Sequence, residues 1–76
     1  MNNARRNNLR QSASLLSSAS LMVSRVKDDE ENSLDNMPEN LQDSERCAKM
    51  EDVIDLLEEA GNCIDSAIEN INEAVS

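Results

Sequence analysis

The 76 residues hold sixteen Asp and Glu against seven Lys and Arg, a net charge of −9, and contain no His, Phe, Tyr or Trp. A chain this short buries little core, and without aromatic side chains it must pack with Leu, Ile, Val, Met and Ala. That inventory favours helix over strand, supplies no histidine or tyrosine for acid–base chemistry, and includes no glycine-rich phosphate loop.

Residues 1–27 carry Arg5, Arg6, Arg10, Arg25 and Lys27 and no acid. This Arg- and Ser-rich composition is shared by organelle transit peptides. The same residues, however, continue a structural repeat. Leu9, Leu16 and Val23 recur every seven residues, and Ser12, Ala19 and Val26 form a second series three residues on. Leu15 and Met22 widen the apolar face. The spacing predicts a helix from about residue 4 to 31, held by packing because its many serines lower intrinsic helix propensity. Arg5, Arg6 and Arg10 are candidate contacts for a phosphate or other anion. The acidic whole and the lack of stacking aromatics argue against direct nucleic-acid binding. "DDEEN" at 28–32 offers oxygen ligands but not the spacing or turn glycine of a calcium loop, and reads as a solvated helix end.

The stretch "DNMPENLQDSER" contains the single proline, Pro38. A connector over 32–44 is expected, extended through Met37 and turning helically over 38–41. Leu34, Met37 and Leu41 are candidate interaction residues with two readings: a cap folded over the end of the bundle, or an exposed recognition loop.

A second helix is expected over about 45–75, with Ser44 as its N-cap and Glu45 in its first turn. Met50, Leu57, Ile64 and Ile71 take one heptad position and Val53, Ala60, Ala67 and Ala74 another. Ile54, Ile68 and Val75 broaden the face, with Gly61 the exception. Glu51, Asp52, Asp55, Glu58 and Glu59 line the outer side, continued by Asp65, Glu69 and Glu73. Such a ladder can imitate a phosphate backbone towards a basic groove, or simply keep a helix soluble. Cys47 and Cys63 lie about 24 Å apart along one helix, too far to bridge. Cys47, beside Arg46 and Lys49, is the better nucleophile of the two, but both read more simply as packing thiols in a reducing cytosol.

Together these elements predict an all-α fold, an antiparallel two-helix hairpin completed by homo-oligomerisation into a helical bundle. Pairing like heptad positions sets Leu9 against Ile71, Leu16 against Ile64, Val23 against Leu57 and Glu30 against Met50. It also sets Arg5, Arg6 and Arg10 near Glu69 and Glu73, and Arg25 near Asp55, so that the basic helix neutralises the acidic one. Leu9, Leu16, Val23, Leu57, Ala60, Gly61, Ile64, Ile68 and Ile71 are the expected core and oligomer residues. Ala60, Gly61, Ala67 and Ala74 form a strip where another backbone can approach closely.

The connector, "MEDVIDLLEEA", "IDSAIENI" and the "NNARR" start resemble a group of small helical proteins of phages and prophages of Gram-positive bacteria. The Ser-rich first helix departs from that group, where more Glu and Lys would be expected. The resemblance implies an accessory phage protein in the cytoplasm of a bacterial host, acting against host defence, and carries no site residues. The combined expectation is a protein with no catalytic site, no cofactor and no metal. It would bind itself and a host protein as an inhibitor, without a membrane. A sponge that traps a nucleotide signal between protomers, and a virion or assembly component, are the alternatives.

Overall fold

In the computed structural model, which describes residues 1–41 and 44–76, the chain forms helix α1 (Asn3–Asp35), a short 3-10 turn (Glu39–Leu41) and helix α2 (Glu45–Val75). The two helices pack side by side as an antiparallel hairpin, an all-α fold with no strand among the described residues. The result is a rod of 60 × 14 × 13 Å. Its radius of gyration is 17.4 Å, where a compact domain of this length would have about 11 Å.

Each helix starts at a side-chain cap. Asn2 has an extended backbone, and its Oδ1 accepts from the Arg5 amide at 2.8 Å, so α1 begins at Asn3. Ser44 caps α2 as expected, its Oγ accepting from the Cys47 amide at 3.2 Å, with Glu45 in the first turn.

The end of α1 corrects the expected boundary at residue 31. The charge run "DDEEN" reads as a solvated helix end, although acids at a helix C-terminus oppose the macrodipole. The helix instead continues to Asp35, because Leu34 is one more partly buried residue of the inward face. Pro38 then stops it: proline has no amide hydrogen to donate and disfavours helix at Met37. The closing bonds run from the Asn36 amide to the Asn32 carbonyl and from the Met37 amide to the Leu34 carbonyl, both 3.1 Å. The short turn is held by the Leu41 amide donating to the Pro38 carbonyl at 2.8 Å. It covers Glu39–Leu41 of the expected 38–41; Gln42 and Asp43 of the connector lie outside the described residues.

The seam between the helices explains the rest of the packing. On α1, partial or full burial follows Leu9, Ala13, Leu16, Ser20, Val23, Lys27, Glu30 and Leu34. On α2 it follows Met50, Ile54, Leu57, Gly61, Ile64, Ile68, Ile71 and Val75. Both series advance by alternating steps of three and four, so the seam is centred between the first and fifth heptad positions. The expected centre lay between the first and fourth. Of the fourth-position residues, Val26, Ala60 and Ala74 are consequently exposed, whereas Ser12, Ala19, Val53 and Ala67 stay partly buried at the edge of the seam.

Register shifts with the seam. Ser20 Oγ donates to Asp65 Oδ1 at 3.0 Å across the helices. Facing residue numbers therefore sum to about 84–85, one helical turn from the expected pairing, so Leu16 comes level with Ile68 and Leu9 with Val75. Roughly the first turn and a half of α1, with Arg5 and Arg6, projects past the end of α2.

Candidate functional site

Chemistry in this hairpin rests on surfaces. Among the described residues, only Ala13, Cys47 and Ile54 are buried apolar side chains. The expected core residues Leu9, Leu16, Val23, Leu57, Gly61, Ile64, Ile68 and Ile71 are partly buried along the seam, whereas Ala60 is exposed. Three surfaces differ in chemistry: an acidic side, a serine-lined groove and an apolar side.

The acidic side belongs to α2. Glu51, Asp52, Asp55, Glu58 and Glu59 are all exposed. Their spacing follows from a helix whose inward face is fully occupied by the apolar series, which sends the remaining positions outward. The expected neutralisation by α1 does not occur. Among the described residues, the ion pair within 4 Å is Lys27 with Glu31, 3.6 Å apart and one turn apart on α1 itself. Arg5 and Arg10 are exposed and Arg6 partly buried; none of them, nor Arg25, lies within salt-bridge distance of a described carboxylate. Arg10 donates instead to Asn7 Oδ1 at 3.4 Å. The basic and acidic side chains form no ion pair across the helices among the described residues, although Lys27 lines the same groove as Glu58 and Asp65.

The serine-lined groove runs along one flank of the seam. One section, of about 200 Å³, is lined by Ser20, Val23, Lys27, Leu57, Gly61 and Asp65 among others. A second, of about 350 Å³, is lined by Ser17, Ser20, Leu21, Ser24, Asp65 and Ile68. It exists because serines on α1 and Gly61 on α2 are too small to fill the space between the helices; a Cβ built on Gly61 would meet nothing within 4 Å. Arg5, Arg6 and Arg10 line neither section. The groove carries carboxylates, from Glu58 and Asp65, which repel a phosphate.

The apolar side is the opposite flank. Leu15 and Met22 retain 67% and 66% of their area, Leu56 retains 66%, and Val26 is also exposed. These residues precede the seam positions on their helices by one residue, or follow them by three. In an antiparallel pair that flank falls on the same side of both helices, since reversing a helix inverts its sense of rotation as well as its direction. Leu56 was missed in the sequence; its position, equivalent to that of Leu15 and Met22, was the available signal.

Of the connector residues, Leu34 lies inside α1 and is partly buried, Met37 is partly buried, and Leu41 is exposed at 40%. The three do not form one buried cap. Cys47 is buried under the start of α2 and Cys63 is exposed; neither is bonded to the other. No group of three His, Cys, Asp or Glu side chains among the described residues converges to hold a metal ion, and no helix there is long and apolar enough to cross a membrane. No family model, curated protein or solved structure matches the chain.

Proposed function

We propose that this chain acts by binding rather than by catalysis, as a helical interaction module whose acidic α2 surface engages a basic surface on another protein. In the setting that the phage-protein resemblance implies, that partner is a host factor which the module inhibits. The observation that carries the reading is the unpaired ladder from Glu51 to Glu59. Five exposed carboxylates on one helix side have no basic neighbour within 4 Å among the described residues. Like charges held together cost stability in the free protein, and a basic partner relieves that repulsion while steering its own approach.

The test is a comparison of baits. The wild-type chain, the triple variant Asp55→Lys/Glu58→Lys/Glu59→Lys and the control Arg25→Glu are used to capture host proteins for mass spectrometry. A partner retained by the wild type and the control, lost by the triple variant and released as salt rises supports the reading. Identical capture by all three chains removes the acidic side from the account.

The nucleotide-sequestering alternative keeps one observation in its favour: Arg5 and Arg6 project past the end of α2 with no described carboxylate beside them. Equilibrium dialysis against nucleotides separates the two readings, since the acidic side predicts no retention.

A further inference from the structure

The apolar side has an occupant for which the hairpin itself supplies the complement. The chain exposes 5769 Å², where a compact monomer of its mass exposes roughly 4,600 Å². The excess, about 1,100–1,200 Å², exceeds the area of about 800 Å² that each partner buries in a standard interface. Leu15, Met22, Val26 and Leu56 are the large apolar side chains exposed on this side, all more than half exposed.

The two helices contribute differently to this side. From α1 it takes Leu15, Met22 and Val26, with the smaller, partly buried Ala19 between them; from α2 it takes Val53 and Leu56 at one end and then the small residues Ala60, Cys63 and Ala67, of which Val53 and Ala67 are partly buried. In the register given by Ser20 and Asp65, Ala67, Cys63 and Ala60 stand level with about residues 17, 21 and 24 of α1. Met22 thus stands within about one residue of the height of Cys63, whereas Leu15 and Val26 lie about two residues from the levels of Ala67 and Ala60.

We infer that the hairpin pairs with a second copy of itself across this side, about a two-fold axis parallel to the rod, so that α1 of each chain lies on α2 of its partner. Two stackings of such faces exist. An axis along the rod keeps heights equal and sets α1 on the partner's α2, fitting Met22 beside the partner's Cys63. An axis across the rod sets like helices together, large on large and small on small. Charge decides in the same direction. Helix α1 carries five basic and five acidic residues and α2 two basic and nine acidic, so the first stacking sets a neutral helix on an acidic one, whereas the second sets two acidic helices together. The product is a four-helix bundle in which both acidic ladders face outward and both Arg5–Arg6 arms emerge at one end.

The test is a cysteine pair. In Met22→Cys, with Cys63 native, mild oxidation is expected to give a covalent product of twice the chain mass on non-reducing electrophoresis, which Cys63→Ser abolishes. Disulfide formation needs Cα atoms within about 7 Å. A product of single-chain mass, no product, or cross-linking that survives Cys63→Ser overturns the stacking. A second variant tests the surface without oxidation: Met22→Glu, on a side chain already 66% exposed, leaves the hairpin helical but should yield the single-chain mass by light scattering. Ser24→Glu, on the groove flank, should leave the paired mass unchanged. A Met22→Glu chain that still pairs refutes the assignment.

Discussion

Replacing Gly61 by alanine should stabilise the protein, and the structure says by how much. Gly61 sits inside α2 with no positive φ, so alanine adopts the same backbone without strain. In a helix interior, alanine is favoured over glycine by about 0.8–1.0 kcal/mol, largely because glycine loses more backbone freedom on folding. Against that gain stands only what the new methyl would meet, and within 4 Å of its position there is nothing. The net effect is therefore close to the full propensity difference, about 1 kcal/mol, which raises the melting midpoint of a domain this size by roughly 4–8 °C. Thermal and urea unfolding followed by circular dichroism would measure it. An unchanged or lowered midpoint for Gly61→Ala would refute the reasoning, since it would mean that another backbone closes on the glycine. That closure is what the small-residue strip of Ala60, Gly61, Ala67 and Ala74 suggests in the sequence. The structure divides the strip, placing Gly61 in the groove and Ala60 and Ala74 on the exposed flank.

Two stability measurements bear on the connector and the caps. Leu34→Ala should cost about 1–2 kcal/mol, a fraction of full leucine burial, and Leu41→Ala less than about 1 kcal/mol because that side chain stays 40% exposed; equal losses would restore the cap reading. Ser44→Ala should cost about 0.5–2 kcal/mol by leaving the Cys47 amide without its acceptor, while Ser44→Asp should retain most of the stability.

How far the sequence carried the fold depends on the kind of information each feature needs. Two helices, their antiparallel return and the Ser44 cap are local matters of period and capping chemistry, and Leu9–Leu16–Val23 and Leu57–Ile64–Ile71 state them directly. The Asn2 cap was equally local, and its signal was an asparagine three residues before Arg5. Register was not local. Two helices with similar seven-residue repeats pair almost as well one turn apart, and only the contact of Ser20 with Asp65 separates the alternatives. The same ambiguity misplaced the seam, because Ile54 and Ile68 at the fifth position outweigh Ala60 and Ala67 at the fourth, and the smaller residues yielded the centre. Charge misled in a related way. Opposite nets on two helices suggest contact, but long charged side chains leave an apolar seam for water, where exposed pairs contribute about 0–1 kcal/mol and do little to hold partners together. The acidic side was legible from the spacing of Glu51 to Glu59, whereas its freedom from neutralisation required coordinates.

With Leu15, Met22 and Leu56 exposed on one side, the native hairpin is expected to pair with a second copy at micromolar concentration. Multi-angle light scattering, or sedimentation equilibrium, on the native chain at micromolar concentration tests it in one step. The expected result is a helical species of twice the 8.4 kDa chain mass. A stably folded, fully helical species at 8.4 kDa would contradict it.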